Sequence, residues 1–338
     1  MQAIRVWEEV DYDQFHGEII PLNQPAHIKS IVGHWPAVKA GAQSPEAIVD
    51  YLKKHDSEKV VSALVGDPAI KGRFFYQPDL KALNFQKAQV TLGIGLDRLL
   101  HIQHDPNPHA IALQAIPVDL VMPDFEQQNQ QPLLDKSIGP TMWLGNRAIV
   151  APHYDIHDNL ACVVAGQRKF TLFPPGQINN LYTGPMLVTP GGVPVSMVDT
   201  KQPDLAQYPN FAEAEEQGQE ATLNPGDGIY IPALWWHGVE SLHAVNVLIN
   251  YWWGRMTNAG ISPNDSLMHA MMSIGNLSSE KREAWRYFFD YYVFKTRGEP
   301  GEDLPAELKD LVTNLSPEQQ TRRIKNESDR RSLHTGGC

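Results

Sequence analysis

Val245-Asn246-Val247-Leu248-Ile249-Asn250-Tyr251-Trp252-Trp253 decides how this chain folds, because its side chains alternate. On a strand, residues two apart share a face. Val245, Val247, Ile249, Tyr251 and Trp253 make one wholly apolar face, which should pack on neighbouring elements. Asn246, Leu248, Asn250 and Trp252 make the other. Buried amides are costly unless something hydrogen-bonds to them. Two of them on one face therefore suit the polar lumen of a barrel, with a bound ligand as their partner.

Outward from this strand, residues 109–254 read as short β-rich runs broken by Pro and Gly, among them Ala110 to Val121, Met142 to Ile156, Ala161 to Phe173 and Gly228 to Ile231. That spacing predicts a β-sandwich or barrel. The first hundred residues mix strands and helices. Ser44-Pro45 supplies an N-cap hydroxyl and a first-turn proline, and Thr91 opens an amphipathic stretch through Leu92, Leu96, Leu99 and Leu100. After Gly254 the pattern turns helical, with Trp285, Phe288, Phe289 and Tyr292 on one stripe and Leu308, Leu311, Val312 and Leu315 on another; Ser316-Pro317-Glu318-Gln319 reads as a capping box. The stripe suits either an internal core or a dimer seam. The expected divisions are an α/β elaboration over 1–108, a barrel core over 109–258 and a helical region over 259–338.

A net charge of −11 argues against a broad nucleic-acid surface, which needs clustered Lys and Arg. The basic run Arg322-Arg323-Ile324-Lys325 with Arg330-Arg331 reads as a solvated helix face. No stretch is long and apolar enough for a membrane span, residues 1–15 lack a secretory core, and two cysteines, Cys162 and Cys338, make no disulfide framework. The expectation is a cytoplasmic protein that binds neither nucleic acid nor membrane.

His153-Tyr154-Asp155 carries the chemistry, answered by His237 in Leu234-Trp235-Trp236-His237. His153 and Asp155 can reach one ion from one strand face, and His237 must come from a strand folded back beside it. Two imidazoles and one carboxylate form a facial triad suited to non-haem Fe(II). Taken singly, a strand histidine is more often an ordinary core or surface residue. His157 could replace a ligand, and His243 sits in a loop. The context favours His237: Asn224-Pro225-Gly226-Asp227-Gly228 is a turn, Ile229-Tyr230-Ile231 a strand, and bulky aromatics flank the imidazole.

These motifs, with Asn159, Gly166-Gln167-Arg168-Lys169-Phe170, Glu240-Ser241-Leu242 and Asn250-Tyr251-Trp252, resemble the JmjC and cupin-like Fe(II)/2-oxoglutarate-dependent dioxygenases. Within that family the chain is similar to the asparaginyl hydroxylase of hypoxia-inducible factor; Arg73-Phe74-Phe75-Tyr76 and Leu113-Gln114 also fit. The resemblance implies a mainly β fold with α, a double-stranded β-helix (cupin or jelly-roll barrel) flanked by N-terminal and C-terminal helices. It implies His153, Asp155 and His237 as iron ligands, and Arg168 as the anchor for the distal carboxylate of 2-oxoglutarate. Arg can grip a carboxylate through two parallel hydrogen bonds. Lys169, on the opposite strand face, is the second choice. Asn159 and Asn250 match family amides near iron and cosubstrate. Two family hydroxyl groups are missing, at Val150 and Ala112, so either Arg168 carries more of the cosubstrate binding or another group, Thr141 or Trp143, compensates.

By this resemblance the function is hydroxylation of a C–H bond, in a protein or peptide side chain or in a small molecule, using 2-oxoglutarate and oxygen, in a homodimer built by the C-terminal helices. The rivals are a metal-dependent cupin isomerase or hydrolase using Zn or Mn, and a binding module without catalysis. The long insert between Pro175 and Thr222 is read either as a functional cover or as a packed surface elaboration.

Overall fold

The computed structural model describes residues 1–186, 188–254 and 262–305. They belong to two units, Met1–Gly254 and Arg255–Cys338. The first unit begins with three short strands, β1 (Gln2–Ala3), β2 (Val6–Trp7) and β3 (Ala26–Ile28). Next come β4 (Val60–Gly66), β5 (Arg73–Phe74), β6 (Phe85–Thr91) and β7 (Ala110–Pro117). Then follow β8 (Pro140–Gly145), β9 (Ile149–Tyr154), β10 (Asp158–Ala165) and β11 (Arg168–Phe173). The last are β12 (Gln219–Leu223), β13 (Gly228–Ile231), β14 (Trp236–Ser241) and β15 (Asn246–Trp253).

These strands form two sheets, in the orders β1-β12-β11-β14-β9-β5 and β2-β3-β13-β10-β15-β8-β7-β4-β6. From β8 to β11 the chain changes sheet at every strand, and it does so again from β12 to β15. That winding is a double-stranded β-helix, the jelly-roll barrel of the cupins. Strands from the first hundred residues extend both sheets: β1 pairs with β12, β3 with β13, and β4 and β6 continue the sheet beyond β7.

The outer face of β15 does what its alternation predicts. Val245, Val247, Ile249 and Tyr251 are buried in one cluster with Ile48, Val49 and Leu52 and with Leu92, Leu96 and Leu99. The latter come from helices Pro45–His55 and Leu92–His101, whose first turns are capped by the Ser44 and Thr91 hydroxyls. Each such aliphatic side chain contributes about 2 kcal/mol when fully buried. Between the sheets, Val163, Phe170, Leu172, Ile229, Ile231 and Leu248 form the barrel's own core. Asn246 departs from expectation. Its Nδ2 donates to the His243 and Asn146 carbonyls at 2.6 and 3.4 Å, so this strand-end amide is satisfied by loop backbone and not by a ligand in the lumen.

The insert folds onto the barrel. Phe211 and Ala214 of helix Phe211–Gln217 pack with Leu181, Val198, Phe173 and Trp236. In the second unit, helices Pro263–Ser273 and Ser279–Tyr292 bury none of their residues. Trp285, Phe288 and Tyr292 of the aromatic stripe are 45%, 57% and 52% exposed. The second apolar stripe, the capping box at 316–319 and the basic run lie outside the described residues. Among the described residues no helix is long and apolar enough to cross a membrane.

Candidate metal centre

The register of two neighbouring strands builds the centre. β14 runs antiparallel to β9 with His237 opposite His153, and the pairing slips just beyond them, between His237 and Val239. Asp155 follows the end of β9, and its carbonyl accepts from Leu234 N–H at 2.7 Å, tying the two strand approaches together. Leu234 itself sits at φ 66°, in the left-handed region, at the turn that delivers Trp235-Trp236-His237. The two imidazoles stand 4.3 Å apart between ring centres.

Each ring is oriented by its own strand. His153 Nδ1 faces the Ala151 carbonyl and His237 Nδ1 the Trp235 carbonyl, both at 3.1 Å. A carbonyl only accepts, so Nδ1 carries the hydrogen in each ring and Nε2 is left with its lone pair inward. The ligand atoms of His153, Asp155 and His237 all lie within 4.8 Å of one another, with His237 Nε2 and Asp155 Oδ2 at 3.5 Å. Two ligands bound about 2.1 Å from one ion at a right angle are about 3 Å apart, so this spacing fits a shared ion better than a strong hydrogen bond.

The protonation states agree. Burial, helped by the neighbouring His237, holds the His153 imidazole down to about 4, leaving it neutral near pH 7. Burial alone would raise the Asp155 carboxyl, but the neighbouring His237, then His153 and the Trp252 indole, outweigh it and hold the group at about 2. A neutral His153 and an ionised Asp155 are the forms that bind a divalent ion.

The triad opens into a cavity of about 420 Å³ whose walls include Trp143, Asn159, Arg168, Asn250 and Trp252. Arg168 is 8% exposed; its Nη2 donates to the Trp143 carbonyl at 3.2 Å, and its buried Nε has no partner. Burial lowers this guanidinium to about 10, so it stays charged at neutral pH. A buried cation with an unpaired donor is costly unless an anion joins it. The amides are ordered in one direction. Trp143 Nε1 can only donate and gives its hydrogen to Asn250 Oδ1 at 2.8 Å; Asn250 Nδ2 then donates to Asn159 Oδ1 at 3.1 Å. The Asn159 amide nitrogen is left as the donor that ends the chain.

Two expected residues lie elsewhere. Lys169, next along β11, points out of the barrel and pairs with Glu220 at 2.7 Å. Thr141 is opposite Asn250 in the sheet but is not on the cavity wall, where Trp143 stands instead. Val150 does line the cavity, while Ala112 is packed among Leu64, Phe74, Ala110 and Ala148. His157 and His243 are not part of the cluster. The mouth was not foreseen: it is lined by Lys87 of β6, by Gln114 and Ala115, and by Pro190, Gly191 and Gly192 of the insert. The only textual signal for it was the length and the Pro-Gly content of the insert.

The cupin-like domain pattern matches residues 12–259, and the chain belongs to that family, which carries the JmjC fold. It is similar to the lysine-specific demethylase JMJ31 of Arabidopsis thaliana, 34% identical over 45% of this chain and 26% of that protein. Likeness to the human bifunctional peptidase and (3S)-lysyl hydroxylase JMJD7 is more extended, 27% identical over 71% of this chain and 80% of that protein. The tRNA wybutosine-synthesizing protein 5 of Danio rerio is 26% identical over 78% of each. The chain thus spans about a quarter of the first of these relatives and about four-fifths of the other two.

Proposed function

We propose that this chain is an Fe(II)- and 2-oxoglutarate-dependent oxygenase that hydroxylates a C–H bond of a protein or peptide side chain. The observation that carries the reading is the convergence of His153 Nε2, Asp155 and His237 Nε2 on one point, beside a cavity holding a buried Arg168 with an unpaired donor. The donor set fits the metal: three ligands of mixed N and O type, with no fourth protein ligand in the cluster among the described residues. It also fits the cosubstrate, because the unpaired Arg168 donor offers a carboxylate the charge-assisted bond that the protein leaves unmade.

When bound, Fe(II) and 2-oxoglutarate would supply the oxidising power, one oxygen atom entering the substrate as the cosubstrate becomes succinate and carbon dioxide. The chain's own residues do the rest. Arg168 holds the far carboxylate, and the Trp143–Asn250–Asn159 chain keeps a donor fixed within the cavity. Trp143 and Trp252, edge to face at 5.8 Å, narrow the lumen and exclude water. The relatives named as a lysyl hydroxylase and a lysine demethylase support a protein substrate. The exposed aromatic face of helix Ser279–Tyr292 supports a homodimer through the second unit, with a second copy of this chain as its partner.

Purified chain loaded with Fe(II) should convert 2-oxoglutarate to succinate in air, and His153→Ala should abolish conversion. Absence of succinate with iron demonstrably bound would refute the reading. Turnover of another kind without oxygen, on Zn or Mn, would favour a non-oxidative cupin enzyme.

A further inference from the structure

Resting on that reading of the site, we propose that the cavity's mouth receives an extended peptide with an acidic side chain close to the oxidised residue, and that Lys87 selects for that side chain. Lys87 is opposite Leu64 in the sheet, and Leu64 is opposite Ala112, so the lysine shares the inner face of the sheet. It lines the cavity mouth, is exposed, and makes no ion pair among the described residues. Arg168, the other cation on this cavity, is buried and committed to the cosubstrate in the proposed reaction. Lys87 is therefore the positive group left for whatever enters from outside.

The rest of the rim suits a peptide backbone. β7 slips in register against β8 between Leu113 and Ile116, and Ala115 there has φ 50°, a conformation that residues with side chains rarely adopt. Gln114, two residues on from Ala112 and on the same strand face, lines the cavity beside this bulge. An amide both donates and accepts, as a peptide group does. Across the opening, Gly191 and Gly192 present bare backbone: no heavy atom lies within 4 Å of where a Cβ would stand at either. This segment is held against the metal-bearing strand, with Val195 bridged to His153 and Ser196 N–H donating to the Pro152 carbonyl at 2.7 Å. A cation, an amide and an open stretch of backbone together recognise an extended acidic peptide. A polyphosphate partner would need several clustered cations, and the cavity mouth offers a single exposed one among the described residues, Lys87.

The test is retention of the purified full chain on immobilised synthetic peptides with a degenerate central residue, flanked by Glu, Gln or Lys. Wild type should be retained in the order Glu, Gln, Lys, with about three-fold between steps, the size expected of one partly exposed ion pair. Lys87→Gln should flatten the order and Lys87→Glu should invert it, with thermal midpoints unchanged because the side chain is exposed. Equal retention of the three sets by wild type, or an order unaltered in both variants, would overturn the proposal. Binding is read without turnover, so the two readings fail separately. Succinate formation without peptide preference sinks only this inference, and preference without succinate sinks only the proposed reaction.

Discussion

Arg168 and Lys169 are adjacent basic residues with opposite environments, one buried beside the triad and the other in an ion pair on the barrel's outside. Strand alternation alone separated them in the sequence, because a one-residue step on a strand reverses the face. If Arg168 anchors the cosubstrate, Arg168→Ala should raise the 2-oxoglutarate concentration for half-maximal succinate formation by about 10- to 100-fold, the worth of one to two charge-assisted bonds. Lys169→Ala should leave it within about two-fold, since an exposed pair is worth little. A large effect at Lys169 instead would mean that the wrong residue has been assigned to the anchor. Other residues were less legible. Asn246 and Asn250 have the same parity on β15, yet one is capped by loop carbonyls and the other ends on Asn159. Parity gives the face, whereas the position along the strand decides whether a side chain meets a lumen or a loop, and alternation carries no measure of that.

At the scale of elements, the capped helices and the β15 strand were readable because caps and alternation are local physics. The bulge at Gln114-Ala115 was not, since nothing local marks an alanine for positive φ; the constraint comes from neighbouring strands. The insert was visible as a length without a destination, and its seating depends on Phe211, Leu181 and Trp236 meeting from distant parts of the chain. Helix Ser279–Tyr292 presents Trp285, Tyr287 and Phe288 to solvent. Large exposed apolar faces mark association surfaces. Light scattering should therefore give a dimer mass for the wild-type chain and a monomer mass for Trp285→Ser/Phe288→Ser, with the first unit's succinate chemistry as a check on folding. A monomeric wild type would remove dimerisation from the proposal.

Across the whole molecule, one carboxylate reinforces the strand pairing that joins the N-terminal strands to the barrel. Asp227, in the turn before β13, accepts from His27 at 3.1 Å, Lys29 at 2.9 Å, Ser30 N–H at 3.1 Å and Asn224 N–H at 3.2 Å. Burial would raise this carboxyl, but the His27 and Lys29 bonds, then the two backbone donors, hold it well below the usual carboxylate range. A depressed folded value contributes stability that is present above the unfolded value near ~4 and is lost as pH falls through the folded one. Asp227→Asn should cost about 2 kcal/mol at neutral pH in denaturant unfolding and should flatten the loss of stability below ~pH 4. An unchanged acid profile would remove this network from the account. The turn holding Asp227 was legible in the sequence, but its partners His27, Lys29 and Ser30, about two hundred residues away, were not.

The central claim is tested most directly by a crystal structure of the chain with Mn(II), standing in for Fe(II), and N-oxalylglycine, a mimic of 2-oxoglutarate. The ion should lie about 2.1 Å from His153 Nε2, an Asp155 oxygen and His237 Nε2, with the far carboxylate of the mimic on Arg168. An ion bound away from any one of these three groups, or a mimic seated on another cation, would contradict it.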